Sequence, residues 1–335
     1  MTDLDVGTLV LGTVVTASAT TYVDDYFGQI SSFVGTGFTY DAFGYPTGGI
    51  VTGLQESYQG QAIYQVTGMS IPVMNWVAWA NDDDTLGAMQ GVLGGNDTVS
   101  GSLGADTLAA FSGNDSISGG AGDDYLNGGP AVDAAGTGND TIFGGAGNDT
   151  VGSNAGTNYL RGDDGNDIIV GGTGFDDANG NMGNDTVSTG AGDDYAVGGK
   201  DNDSLSGGVG GDIVWGNLGN DTQDGGDGDD QVRGGQGDDT VTGGAGNDFV
   251  SGDRGADTIA GGAGADLFHG SQDAGIDRVS DFHLSEGDRV MLDLGTTYTV
   301  SQAGADTIID MGAGNQMILV NVQMSSLTPG WIFGA

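Results

Sequence analysis

Between Gly95 and His269 the apolar positions of the chain fall on a period of nine. One aliphatic or aromatic residue stands in a stretch of Gly, Asp, Asn and Thr, and the next follows nine places later. Val99, Leu108, Ile117 and Leu126 are followed by Ile142, Val151, Leu160, Ile169 and onward to Ile259 and Phe268. Two residues before each stands a second periodic position. It reads Asp97, Asp106, Asp115 and Asp124, then Asp140, Asp149, Asn158, Asp167, Asp176, Asp185, Asp194, Asp203, Asp212, Asp221, Asp230, Asp239, Asp248, Asp257 and Asp266. The step from 124 to 140 carries seven extra residues, placed near 128–134. Each unit predicts a three-residue strand whose central side chain points inward and whose neighbours point out. Glycines supply the positive φ of the turn between strands and let the backbone come close to a bound ion. A fixed period of this length is the signature of a solenoid.

Composition adds the partner that such a chain needs. Gly accounts for 70 of 335 residues, and 47 Asp plus Glu face 6 Lys plus Arg, for a formal net charge of −41. So acidic and glycine-rich a chain repels itself and orders poorly alone. Asp at fixed positions, beside main-chain carbonyls, suits a hard cation such as calcium. One buried apolar side chain per nine ordered residues is too little to offset the lost chain entropy, so the ion is expected to complete the fold. The same charge argues against nucleic acid and anionic membranes, which call for basic surfaces. There is no Cys, which excludes disulfides and thiolate sites. No apolar run is long enough to span a bilayer.

The unit Gly243-Gly-Ala-Gly-Asn-Asp248-Phe-Val250-Ser resembles GGxGxDxUx, the calcium-binding nonapeptide of the RTX (hemolysin-type) proteins. The resemblance covers about half the chain. It implies an all-β fold, a right-handed parallel β-roll with two units per turn and an ion bridging loops one turn apart. It implies multiple calcium ions, held by the Asp positions above and by Asp281, with Asp288 and Asp293 near a last site. It also implies an extracellular or cell-surface location, reached by a C-terminal signal for type I secretion. Departures are local: Asn158 lacks the carboxylate, Asp201 replaces a loop glycine and Gln223 takes an inward apolar position, so sites touching these are expected to be weak or empty.

Alternate units of a roll lie on opposite sheets, which sorts the outward residues by face. Odd units carry Tyr159, Arg161, Tyr195, Trp215, Arg233 and Phe249, whereas even units carry mostly Thr and Ser. Propensity favours both kinds of residue in exposed strands but does not segregate them. An aromatic flank reads as an interaction face, and the Thr column also resembles ice-binding repeats.

Three regions follow. Residues 1–94 read as a β-rich capping or assembly module, with a strand rather than a signal peptide at 6–19 and a short helix near 82–93. Residues 95–269 form the roll, and 270–335 a β cap with the secretion signal. No H-E-x-x-H and no G-x-S-x-G occurs, so the zinc-protease and lipase arrangements are absent. The expected function is that of a secreted, calcium-dependent structural protein, not an enzyme, assembling with copies of itself into surface, matrix or filament material. A monomeric adhesin for carbohydrate or another cell-surface component is the alternative, and a small secreted hydrolase the third.

Overall fold

The computed structural model describes residues 13–17, 21–26, 29–40, 46–58, 61–72, 95–101, 103–110, 112–129, 138–272 and 274–334, with side chains from residue 95 onward. The helix expected near 82–93, and most of the 6–19 stretch, lie outside the described residues; within the latter, Thr13–Ala17 is a strand. The chain divides into two compact units, Met1–Tyr159 and Leu160–Ala335.

In the first unit, Thr13–Ala17, Thr21–Tyr26, Gln29–Tyr40, Pro46–Tyr58 and Gln61–Pro72 form an antiparallel meander, each paired with the next. Gln61–Pro72 then pairs antiparallel with Thr98–Ser100, Val66 facing Val99. The first strand of the repeat thus has its open edge hydrogen-bonded to the meander, which is how a solenoid end is protected. From there pairing is parallel. Thr98–Ser100, Ser116–Ala121 and Thr141–Ala146 make one sheet, and Thr107–Ala109, Tyr125–Asn127 and Thr150–Gly152 the other. The seven extra residues leave the register intact, with Ile117 opposite Ile142 and Leu126 opposite Val151.

The second unit continues the same plan. Odd units stack as Asp176–Met182, Tyr195–Lys200, Ile213–Leu218, Gln231–Gln236, Phe249–Arg254 and Leu267–Gly270. Even units stack as Ile168–Thr173, Thr186–Ala191, Ser204–Val209, Thr222–Asp227, Thr240–Ala245 and Thr258–Ala263. Each residue pairs with the one 18 positions on, as two nonapeptides per turn demand. The fold is an all-β parallel solenoid. Its core is two facing columns, Ile169, Val187, Leu205, Gln223, Val241 and Ile259 against Ala178, Ala196, Val214, Val232, Val250 and Phe268, all buried.

The turns require glycine where successive loops stack. Gly244 has φ of 119° and Gly246 of 145°, and a Cβ on either would land on the carbonyl oxygen of Gly226 or Gly228 one turn below. At the equivalent of the first position, Asp163, Asn181, Asn217 and Asp253 adopt positive φ, which short polar side chains tolerate best after glycine. At its end the solenoid is closed by Ile276–Val279 and Arg289–Leu292, followed by the hairpin strands Thr299–Ala303, Asp306–Gly312 and Asn315–Leu319 and by Ile332–Gly334. Phe268, Phe282 and Trp331 stack in sequence beneath them, at 5.9 and 6.2 Å between ring centroids.

Candidate metal centre

In the second unit the periodic Asp side chains turn inward at or just before the start of their strands, and at most positions the residue five places earlier is a glycine, as Gly207 is to Asp212 and Gly234 to Asp239, with no side chain to occupy that space. In the second unit these carboxylates form a regular ladder. The backbone N–H of Asp185 donates to Oδ1 of Asp203 at 2.8 Å, Asp203 to Asp221, Asp221 to Asp239, and Asp239 to Asp257. On the opposite edge Asp176 donates to Asp194, Asp194 to Asp212, Asp212 to Asp230, Asp230 to Asp248 and Asp248 to Asp266. Asp97, Asp106, Asp115 and Asp124 do the same in the first unit, onto Asp115, Asp124, Asp140 and Asp149. Asp140 continues to Asn158, whose amide oxygen accepts at 2.9 Å. In the second unit Asp167 donates likewise to Asp185.

At eight of these carboxylates in the second unit one oxygen is thereby used and the other is not. Oδ2 of Asp185, Asp203, Asp212, Asp221, Asp230, Asp239, Asp248 and Asp266 is buried without a hydrogen-bond partner. A buried carboxylate oxygen without a donor is costly. Beside it lies a second acceptor. The space next to Gly207 is bounded by Asp212 Oδ2 and the carbonyl oxygen of Gly225, and that next to Gly234 by Asp239 Oδ2 and the carbonyl of Gly252. Acceptors converge with no donor between them, which fits a hard cation bound by carboxylate and carbonyl oxygens. Among the described residues no three carboxylate or imidazole groups converge, in keeping with cages built largely from main chain.

The electrostatics agree. Burial raises the pKa of Asp203, Asp212, Asp239 and Asp248 to about 7, against the pull of the donated amide and with the neighbouring Asp carboxylates pushing the same way. Without a positive charge these groups prefer to be neutral.

A match to the family of the RTX calcium-binding nonapeptide repeat runs through residues 93–126, 112–133, 134–160, 161–196, 188–223, 224–259 and 242–276. The chain belongs to the RTX calcium-binding repeat family. Its repeats therefore bind calcium at multiple positions, and RTX proteins are typically exported. No curated protein matches the chain. Among solved structures, it is similar to the AlgE6R3 subunit of the Azotobacter vinelandii mannuronan C5-epimerase, at 24% identity over 40% of this chain and 78% of that one, TM-score 0.26. It is also similar to the extracellular lipase LipA of Serratia marcescens, at 18% identity over 64% of this chain and 40% of that one, TM-score 0.30. Among the described residues no helix is long and apolar enough to cross a membrane.

Where the RTX array ends, two carboxylates outside the nine-residue period take over. Asp257 donates its N–H to Asp277 Oδ1 at 3.3 Å and Asp266 to Asp288 Oδ1 at 3.0 Å. Asp277 is buried, and desolvation followed by the adjacent Asp257 charge raises its pKa to about 8. Sequence spacing missed Asp277, which follows Asp257 by 20 residues instead of 18. Asp281 has both oxygens engaged by the N–H groups of Gly261 and Gly262, and Asp293 lies against His269.

The structure also assembles a trio that the motifs did not reveal. Ser251 Oγ lies 3.2 Å from His269 Nδ1, and His269 Nε2 lies 3.1 Å from Asp293 Oδ1. Ser251 is 1% exposed, and its hydroxyl donates to Asp253 Oδ1 at 2.6 Å. With the Ser251 hydroxyl buried and donating to Asp253, the trio ties the last repeats to the cap.

The expected interaction residues divide by unit. In the first, Tyr159 packs on Phe143 at 5.9 Å. In the second, Tyr195 is 42% and Trp215 40% exposed, and Phe175 meets Tyr195 edge-on at 5.5 Å. Arg233 lies over the Phe249 ring at 5.4 Å, whereas Arg161 is turned to Asp177, bonding its carboxylate at 2.9 Å and its carbonyl at 2.7 Å. Segregation of the faces is partial, since Ile168 and Val170 are exposed on the Thr-bearing sheet.

Proposed function

We propose that the chain is a secreted, calcium-dependent structural protein that assembles with copies of itself. The exposed Tyr195–Trp215 surface carries this reading: a strand face of aromatic and aliphatic residues on a chain of net charge −41. Such a patch favours burial against another surface. Calcium, held by the periodic Asp carboxylates and the loop carbonyls, neutralises the charge that would keep copies apart. Asp281 and the cap carboxylates close the array. Residues 1–94 act as the cap and joining module, 95–269 as the roll and 270–335 as the C-terminal cap with a type I secretion signal. The sealed Ser251 hydroxyl and the absence of the lipase and zinc-protease motifs support a non-catalytic role.

Electron microscopy with light scattering, in chelator and then in millimolar calcium, tests the proposal. Ordered fibres or sheets on calcium addition are expected. A folded chain that stays monomeric at high concentration would sink the assembly reading and leave the adhesin, with residues 1–94 probed for glycan binding and, for a hydrolase, for polymer turnover.

A further inference from the structure

Gln223 stands in the core column between Leu205 and Val241. It is 1% exposed and its Oε1 is buried without a hydrogen-bond partner, so the contacts that hold this amide in the core are made by Nε2. Its Nε2 donates to the carbonyl oxygens of Arg233 at 3.2 Å and Gly234 at 3.3 Å. Those carbonyls belong to the strand Gln231–Gln236, which pairs one turn beyond Ile213–Leu218.

The neighbouring cradles show what that position normally holds. Beside Gly207, Gly225, Gly234 and Gly243 the three nearest atoms come only from the loop's own Asp and a glycine carbonyl of the next turn. Beside Gly216 the corresponding Asp221 Oδ2 and Gly234 carbonyl are present, and the nearest atom of all is Gln223 Nε2. A donor has entered the one place in this run where acceptors otherwise meet alone. An N–H group and a cation serve a carbonyl lone pair in the same sense, as electron-pair acceptors, and here the two compete for one volume.

We propose that the Gln223 amide replaces the ion at the Asp221 cradle, so that this joint of the array closes without calcium. The reversed amide sets Oε1 against two carbonyl oxygens, an arrangement of acceptors that needs a cation between them. The two orientations therefore predict opposite effects of removing the side chain. The proposal rests on the reading that the Asp–Gly cradles hold calcium.

Equilibrium dialysis with radioactive calcium, at saturation, would count ions per chain in the wild type, in Gln223→Val and in Gln223→Leu, with circular dichroism confirming the fold of each. Val and Leu are the residues of the adjoining units, so both variants suit the column. One additional ion per chain in the variants is the expected result. An unchanged count overturns the proposal, and one ion fewer overturns it in favour of Gln223 as a ligand. A wild type that binds no calcium instead defeats the cradle reading itself, which is a separate outcome.

Discussion

The backbone N–H of Asp221 donates to Oδ1 of Asp239 at 2.8 Å, while Oδ2 of the same Asp239 is buried with no donor. The same division recurs at Asp203, Asp212, Asp230 and Asp248, and on the proposed reading calcium serves the second oxygen. Chelation then removes that partner from all of them together. The β signal in far-ultraviolet circular dichroism is expected to disappear in excess chelator and return with calcium; a spectrum unchanged by complete calcium removal would count against metal-coupled folding.

Asp239 sits in the middle of the ladder, accepting from Asp221 and donating to Asp257. Asp239→Asn keeps the shape and removes the charge. Loss of a charge-assisted contact costs about 1.5–3 kcal/mol, so the calcium midpoint of folding is expected to rise several-fold. The periodic Asn158 already accepts from Asp140, so Asn158→Asp is expected to lower that midpoint.

On the proposed reading, protons and calcium compete for the same oxygens. Burial raises Asp203, Asp212, Asp239 and Asp248 to about 7, above the ~3.9 of an unfolded Asp. A raised folded value gives stability that is complete below the unfolded value and lost as pH rises through the folded one. The metal-free chain is therefore expected to show more β structure near pH 5 than near pH 8. Calcium affinity runs the other way, because the ligand is the carboxylate. Calorimetric titrations from about pH 8 down to about pH 5.5 should show weakening affinity with proton release on binding.

Gly246→Ala places a methyl group on the carbonyl oxygen of Gly228 at a φ of 145°. Strain and collision together are expected to cost at least 1–3 kcal/mol. Asn217→Gly, at a left-handed position already occupied by a non-glycine residue, is expected to be nearly neutral. Thermal unfolding in saturating calcium separates the two.

Trp215→Ala and Tyr195→Ala remove two exposed rings of one sheet without touching a carboxylate. They are expected to abolish calcium-induced scattering and leave the number of bound ions unchanged. Assembly that survives both substitutions would move the joining surface elsewhere.

Much of this was legible because the period is strict. A spacing of nine with one inward residue dictates pairing at 18, and Ile169 opposite Val187 follows from it. That seven residues are extra between Asp124 and Asp140 could be counted, since pairing resumes with Asp115 donating to Asp140. Asp277 could not, because the cap sets its spacing and its ladder position depends on three-dimensional closure. The Ser251–His269–Asp293 contact spans 42 residues and no repeat encodes it. Nor does composition say that Gln61–Pro72 pairs antiparallel with Thr98–Ser100. The burial of Gln223 followed from its place in the period, but the target of its amide did not.

A second ladder runs along the outside, and it points the other way. Asn184 donates its N–H to Asn166 Oδ1, Asn202 to Asn184 and Asn220 to Asn202, each reaching back toward the N-terminus, whereas each inner Asp reaches forward. The two ends of the stack are thus chemically different. Removing the final turn strands inner amides that want a carboxylate, a loss the cap prevents with Asp277 and Asp288. Removing the first strands the inner carboxylate oxygens and, on the exposed outer ladder, amides such as that of Asn184, which water can serve. Like two zip fasteners sewn in opposite directions, the paired ladders leave donors to be served at either end, and at the C-terminal end Asp277 and Asp288 serve the inner ones.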